Sequence, residues 1–146
     1  MPAITHGDAQ DLLARYKRSW ETRDVDALLE LFAEGAEHRP DPFEPALVGV
    51  IAIRAWANAT FADIAHVDFD AERIWLSGNT VVSVFHAAWT ERATADRRRV
   101  RGCLIAEVDD ALDIRRLREW SRVKIVGRDS TFEPDGDLAA VAATGR

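Results

Sequence analysis

RYKRSWETRDVDALLELFA, residues 15–33, is the stretch that decides the fold. Tyr16 and Trp20 lie one helical turn apart, and with Leu12 they place apolar residues at steps of four. This spacing predicts one face of an amphipathic helix. Asp8 belongs to a residue type that favours helix N-caps, and it marks the expected start of that helix. The apolar pattern restarts after a charged break, so a second helix is expected within the same stretch.

The predicted second helix begins after Asp24, a favourable N-cap, and ends at Gly35. Residues 37–45 follow with three prolines, which exclude a helix and predict a short strand leading into a wide loop. Gly49 ends that loop, and the apolar spacing after it predicts a third helix. Three helices are therefore expected before the main run of strands.

Further along, the chain changes to long segments rich in Val, Ile, Trp and Phe, separated by short turn sequences. The pattern predicts a four-stranded antiparallel meander, with a fifth short strand near His38. The expected long strands are residues 65–76, 80–91, 97–108 and 112–125. Three helices gathered on one face of a curved antiparallel sheet make a cone-shaped α+β fold, whose open end is a natural small-molecule pocket.

Composition limits both the organisation and the partners of the protein. The chain has 146 residues, 47% of them hydrophobic, and a formal net charge of −6, so we expect one domain and no nucleic-acid partner. That domain is expected to span residues 8–127, between an N-terminal extension (residues 1–7) and a loosely ordered C-terminal tail (residues 128–146). No leader or membrane-spanning stretch is apparent.

The cysteine and histidine content indicates neither a disulfide nor a metal site. Cys103 is the single cysteine and cannot form an internal disulfide, which favours a reducing, cytoplasmic location. The four histidines show no spacing typical of metal ligands. The prediction is a cytoplasmic protein with no metal and no cofactor.

Alternation along the strands assigns side chains to the two faces of the predicted sheet. In residues 97–108 the apolar series that includes Val100 is expected to face the helices. Applied to the neighbouring strands, the same logic predicts inward positions for Val84, His86, Ala88, Leu104, Leu117 and Glu119. Glu119 is then a carboxylate on an apolar face, which calls for a functional explanation.

The outer face of the predicted sheet carries rings among arginines. Phe85, Trp89 and Trp120 are expected there, and such a mixture is typical of protein interfaces. We therefore predict a homodimer through this face. The alternative is that the C-terminal tail covers the rings.

The same stretch, residues 15–33, resembles the opening of nuclear transport factor 2-like domains. Asp41-Pro42, a helix opening after Gly49 and a last strand ending in Arg118-Glu-Trp120 extend the resemblance over roughly residues 8–127. This superfamily of cystatin-like α+β barrels includes ketosteroid isomerases, limonene epoxide hydrolases and SnoaL-like polyketide cyclases. The resemblance implies the cone fold, and it leaves the activity open because one cone hosts many functions.

The three branches of the superfamily imply different site residues. Ketosteroid isomerases use a tyrosine on the first helix and an aspartate after the first strand, positions similar to Tyr16 and Asp41. Limonene epoxide hydrolases use an acid on the last strand, which Glu119 matches. SnoaL-like cyclases combine a strand acid with pocket histidines, and Glu119 with His86 and His38 is most similar to that arrangement.

These observations lead to one hypothesis and one alternative. The hypothesis is a cofactor-free enzyme for isomerisation, cyclisation, dehydration or epoxide opening of an apolar, oxygenated substrate that is steroid-, terpenoid- or polyketide-like. In it Glu119 and His86 exchange the proton, His38 or Asp41 orients water or substrate, and Tyr16 donates a hydrogen bond to an oxyanion. The residues expected to line the pocket are Trp20, Phe43, Trp56, Phe61, Val84, Ala88, Leu104 and Leu117. The alternative is a non-catalytic ligand-binding or dimeric assembly domain of the same fold.

Overall fold

The computed structural model describes residues 3–134 and shows three helices and one six-stranded sheet. The helices are α1 (His6–Glu21), α2 (Val25–Leu29) and α3 (Val50–Ala62). The strands are β1 (Phe32–Arg39), β2 (Leu47–Val48), β3 (Ile64–Ser77), β4 (Thr80–Glu91), β5 (Asp96–Val108) and β6 (Ile114–Arg128). Their order in the sheet is β2-β1-β6-β5-β4-β3, and only β1 and β6 pair in parallel. The sheet is curved and does not close, which confirms the predicted α+β class.

The start of α1 lies two residues before the predicted one. Thr5 is the N-cap, because its hydroxyl accepts from Asp8 N at 3.1 Å while the Asp8 carboxylate accepts from Thr5 N at 3.0 Å. This reciprocal pair is a capping box, in which the acid is the third helical residue and not the cap. The pair fixes the direction of the helix that carries Tyr16 and Trp20.

Helix α2 begins where the sequence predicted and ends earlier. The Asp24 side chain accepts from Ala27 N at 3.0 Å, which confirms it as the N-cap. The helix ends at Leu29 instead of Gly35, because the chain joins the sheet at once: Leu31 O accepts from Ile114 N at 2.7 Å. The expected helix residues after Leu31 therefore belong to β1.

The four long strands agree with the predicted segments, and the sheet gains a strand that was not expected. The predicted short strand near His38 is β1, which extends to Arg39, and the unexpected strand is β2, which pairs with it at Leu47 and Val48. No helix within residues 3–134 has the length and apolar character needed to span a membrane.

The inward face of β5 and β6 is the predicted one, whereas that of β4 is reversed. Val100 and Leu104 are buried against the helices as expected. Within residues 80–89 of β4 the buried side chains are those of Val81, Ser83 and Phe85, so the predicted inward series of this strand is wrong. The residues that therefore point to the outer face are Val82, Val84, His86 and Ala88.

Gly102 provides the physical reason for this reversal. It pairs with Phe85 across β4 and β5, and an added Cβ at residue 102 lies only 2.9 Å from Phe85 Cζ. The missing side chain makes room for the Phe85 ring on the inner face. Phe85 and Trp89 are consequently inside, and the prediction that they belong to the outer face is wrong, while Trp120 is outside as expected.

Residues 129–134 follow β6 and contact the far end of the sheet. The Asp129 carboxylate accepts from Thr90 Oγ1 at 2.6 Å and lies 2.8 Å from His66 Nδ1. Phe132 packs edge-on against His66 with ring centroids 5.6 Å apart. These contacts lie away from Trp120, and the rest of the predicted tail, residues 135–146, lies outside the described residues.

Candidate functional site

A cavity of about 330 Å³ lies between α1, the junction of α3 and β3, and the inner faces of β4, β5 and β6. This volume is within the range of small-molecule sites. The apolar and aromatic lining residues are Tyr16, Trp20, Ile64, Val67, Phe69, Phe85, Ala87, Trp89, Val100 and Val123. The polar lining residues are Thr60, Asp63, Glu91, Glu119 and Ser121.

Glu119 is the carboxyl group inside this apolar wall. It lies on the inner face of β6, opposite Leu104, and is partly accessible because it faces the cavity. Burial raises the pKa of Glu119 to about 7, and within residues 3–134 no basic side chain pairs with it. A carboxyl group that titrates near neutrality can either give or take a proton at physiological pH.

Tyr16 and Trp20 line the same cavity, and each carries a hydrogen-bond donor. Burial raises the pKa of Tyr16 far above its usual range, the negative charge of Glu119 adds to this increase, and the Trp20 indole offsets part of it. Tyr16 therefore remains a neutral phenol. The Trp20 N–H is near it but is not aligned for a hydrogen bond, and this buried donor has no partner within the described residues.

His38 lies behind the cavity wall and not at the predicted rim. Its ring is 2% exposed and packs between Phe32 and Trp56, with centroids 5.7 Å and 4.6 Å away. Burial lowers the pKa of His38 to about 4, the Leu117 backbone offsets part of this decrease, and the buried Nδ1 has no hydrogen-bond partner within the described residues. His38 is therefore an uncharged imidazole at neutral pH. Trp56 separates it from Trp20, with the two indole rings 6.0 Å apart.

The mouth of the cavity is polar. The Glu91 carboxylate accepts from Trp89 Nε1 at 2.8 Å, which holds the indole at the rim, and Arg98 Nε is 3.7 Å from the same carboxylate oxygen. Asp63 lies exposed at the end of α3. Within residues 3–134 no three acidic, histidine or cysteine side chains cluster as metal ligands.

Residues 13–116 match the family model of the SnoaL-like domain, which covers most of the chain. The chain belongs to the SnoaL-like domain family. The resemblance to nuclear transport factor 2-like proteins is thereby confirmed. No curated protein sequence shows a significant match to this SnoaL-like domain.

Solved structures share the fold of this SnoaL-like domain at low sequence identity. SalBIII, an epoxide hydrolase/cyclase-like enzyme in pyran ring formation in the polyether salinomycin, is 19% identical with a TM-score of 0.71, covering 80% of this chain and 94% of its own. A protein assigned as a SnoaL-like polyketide cyclase from Shewanella denitrificans OS-217 is 13% identical with a TM-score of 0.71, covering 81% and 92%. A hypothetical protein with a ketosteroid isomerase-like fold from Catenulispora acidiphila DSM 44928, in complex with trimethylamine, is 16% identical with a TM-score of 0.67, covering 75% and 83%.

The predicted proton-transfer pair of Glu119 and His86 does not exist in this SnoaL-like domain. The His86 ring lies on the outer face of β4, where Nδ1 is 2.8 Å from Glu72 Oε1 and Nε2 is 3.5 Å from Asp70 Oδ2. The prediction that His86 faces the cavity is wrong, because the register of β4 turns it to the opposite side from Glu119.

Asp41 and Phe43 also lie outside the cavity. Asp41 is exposed in the loop after β1, and its Oδ1 accepts from Phe43 N at 2.9 Å. This turn directs the Phe43 ring into solvent, where it is 93% exposed. The predicted roles of Asp41 at the mouth and of Phe43 in the lining do not fit these positions.

The remaining predicted lining residues divide into four groups. Trp20 lines the cavity as expected, and Trp56 and Phe61 pack against Trp20 from behind. Leu104 and Leu117 are buried in the core without lining the cavity. Val84 and Ala88 are on the outer face. Among the lining residues that sequence reasoning missed are Phe69, Phe85, Trp89, Asp63 and Glu91, and Gly102 was the signal for Phe85.

Proposed function

We propose that this SnoaL-like domain is a cofactor-free enzyme that moves a proton on a small, apolar, oxygen-containing substrate bound in the cavity. The observation that carries the proposal is the unpaired carboxyl of Glu119, which burial in an apolar wall brings to a pKa of about 7. At that pKa both protonation states are populated at neutral pH, as a general acid or base requires. The reaction classes that fit are isomerisation, cyclisation, dehydration and epoxide opening.

In the proposed mechanism the ionised Glu119 takes a proton from the substrate and returns it at another atom. Tyr16 stays protonated because burial disfavours its phenolate, so it donates a hydrogen bond to a substrate oxygen. The unpartnered N–H of Trp20 is a second donor on the same helix. His38 does not line the cavity, and we assign it a positioning role behind Trp56.

One buried, unpaired carboxyl group with two neutral donors favours some of these reaction classes over others. Moving a proton from one atom of a substrate to another needs a single group that first accepts and then donates. Hydrolysis needs a base for water and a separate acid for the leaving oxygen. The position of His86 outside the cavity removes the predicted second titrating group, so isomerisation and intramolecular cyclisation fit the site best.

The test separates binding from turnover. Steroid, terpenoid epoxide and aromatic polyketide ligands are screened by tryptophan fluorescence, since Trp20 and Trp89 line the cavity, and those that bind are assayed for conversion. For a converted ligand, Glu119→Gln is expected to bind within about twofold of wild type and to lose about a hundredfold or more in kcat. Glu34→Gln, a change at an exposed glutamate of β1, is the matched control. Undiminished kcat in Glu119→Gln removes Glu119 from the mechanism.

The outer face of the sheet carries a second proposal, a homodimer. Cross-strand neighbours there form two apolar rows, Trp75, Val82 and Ile105 in one and Val84, Cys103 and Trp120 in the other. Trp75 and Trp120 are 44% and 40% exposed, and large exposed rings within a charged rim favour an interface. A dimeric mass by light scattering that falls to the monomer in Trp120→Glu supports this proposal. A monomeric wild type at high micromolar concentration refutes it.

A further inference from the structure

The charged groups that line the cavity all have the same sign. Within residues 3–134 the lining includes the carboxyl groups of Asp63, Glu91 and Glu119 but no lysine, arginine or histidine. A cleft lined by one sign of charge concentrates ligands of the opposite sign. This cavity therefore disfavours anionic ligands and favours cationic ones.

Nearby basic groups do not cancel this charge. Arg98 lies beside Glu91 at 3.7 Å and offsets that carboxylate in part. Lys17 on α1 points elsewhere, because its Nζ donates to Phe69 O at 2.6 Å and to Glu21 at 2.8 Å. Glu119 keeps no basic partner within the described residues, so its ionised form lacks a counter-charge.

The walls of the cavity that Glu119 faces are largely aromatic. Its five lining rings come from α1, β3 and β4: Tyr16, Trp20, Phe69, Phe85 and Trp89. Ring faces attract organic cations electrostatically, and the attraction is stronger where water is excluded. Neutral apolar ligands also gain from such walls, but they make no use of the carboxylates.

We infer that the cavity binds an organic cation, a substrate that carries a protonated or quaternary amine on its apolar body, with Glu119 as the counter-charge and the aromatic rings around it. The inference rests on the proposed function, because it uses the same cavity and the same carboxyl group, and it specifies the class of substrate. As in the proposed function, Tyr16 and Trp20 donate hydrogen bonds to the oxygen of that substrate.

Binding of a cation is expected to depend on the ionisation of Glu119. The charged and titratable groups that surround it are Tyr16 on α1, His38 on β1, Asp63 at the end of α3, Glu91 on β4 and Arg98 on β5. Tyr16 and His38 are uncharged at neutral pH because burial shifts their pKa values away from it. Glu119 ionises as the pH rises through about 7, so affinity for a cation increases across that range.

The test compares three probes of one shape and three charges: choline, the neutral isostere 3,3-dimethylbutan-1-ol, and the anion 3,3-dimethylbutanoate. Their dissociation constants are measured by tryptophan fluorescence at pH 5.5 and pH 8.5. At pH 8.5 choline is expected to bind roughly tenfold more tightly than the alcohol, and the anion more weakly than both. At pH 5.5 the difference in affinity between choline and the alcohol is expected to be smaller, because the affinity for choline falls while that for the alcohol changes little.

Two variants test whether Glu119 is responsible for the preference for choline. Glu119→Gln removes the ionising group, and it is expected to lower choline affinity at pH 8.5 about tenfold and leave the alcohol within about twofold of wild type. Glu34→Gln, far from the cavity lining, is expected to preserve both affinities. Equal binding of choline and the alcohol overturns the cation inference and leaves the acid–base proposal intact. Absence of any fluorescence change with all three probes also overturns the cation inference, whereas the acid–base proposal is decided separately by the ligand screen and by the kcat of Glu119→Gln.

Discussion

Replacing the Glu119 carboxyl with an amide is expected to stabilise the protein at high pH. Burial raises the pKa of Glu119 to about 7 from an ordinary value of 4.5. Between these two pH values the folded state holds a proton that the unfolded state releases, so stability falls as pH rises through that window. Below pH 4.5 Glu119 is protonated in both the folded and the unfolded state, and its full contribution to the free energy of unfolding is present. Above pH 7 the loss approaches about 3 kcal/mol, at about 1.4 kcal/mol for each pKa unit.

Urea denaturation of wild type and Glu119→Gln at pH 5 and pH 8.5 measures this effect. At pH 8.5 the variant is expected to be about 2–3 kcal/mol more stable, or about 5–10 °C higher in Tm for a domain of this size. At pH 5 the two proteins are expected to differ by less than about 1 kcal/mol. The value of 3 kcal/mol is an upper bound, because Glu119 faces a cavity that admits water.

Glu34→Gln is the control for this measurement, since Glu34 is exposed and its loss leaves the cavity unchanged. Its stability is expected to follow that of wild type at both pH values. A Glu119→Gln protein that is equally destabilised at pH 5 and pH 8.5 refutes the reasoning, because the carboxyl then contributes packing or a hydrogen bond and not a desolvated charge.

Three further predictions concern other parts of the fold. Gly102→Ala is expected to lower the free energy of unfolding, measured by urea denaturation, by about 2–3 kcal/mol, because the new Cβ meets Trp120 O at 2.6 Å and Phe85 Cζ at 2.9 Å. The control is Gly7→Ala, whose Cβ meets only Thr5 Oγ1 at 3.8 Å and which is expected to be neutral or stabilising. Tyr16→Phe is expected to lower kcat about tenfold while changing stability by less than about 1 kcal/mol, and an unchanged kcat excludes the hydroxyl from the reaction. Asp129→Asn is expected to be less stable than wild type at pH 7 and equal to it in strong acid, because hydrogen bonds from Thr131, Thr90 and His66 hold the pKa of Asp129 well below its usual range. A difference in unfolding free energy that stays constant down to the lowest pH at which the protein folds contradicts this.

The sequence pattern predicted the faces of β5 and failed for β4, for one physical reason. In β5 the two series differ, since Val100 lies between Arg99 and Arg101, and the series that carries these arginines cannot face a core. In β4 both series are largely apolar: Val81 and Phe85 in one, Val82 and Val84 in the other. Alternation alone cannot choose between two apolar faces. The pairing register with β5 determines which series of β4 faces inward, and alternation within β4 alone does not contain that register.

Glu119 could be identified from the sequence because a carboxylate in an apolar series is a local signal. The aromatic wall around it could not, since Phe85 and Trp89 depend on the β4 register that alternation left open. A partial clue was available in Gly102, which lies in the inward series of β5. A glycine at such a position leaves a space that a large ring on the neighbouring strand fills, and Phe85 is the ring directly opposite.

The segment after α2 shows why neighbours in sequence do not share a site. His38 belongs to the last paired residues of β1, and pairing with Leu117 turns its ring into the core under Trp56. Three residues later the strand has ended, and Asp41 instead binds the backbone N–H of Phe43 and stays in solvent. A histidine and an aspartate that the sequence predicted as alternatives for orienting water or substrate are thus separated by the edge of the sheet. The chemistry of the cavity consequently depends on Glu119 with the donors of α1, and within residues 3–134 no histidine lies in the wall to receive a proton that Glu119 accepts.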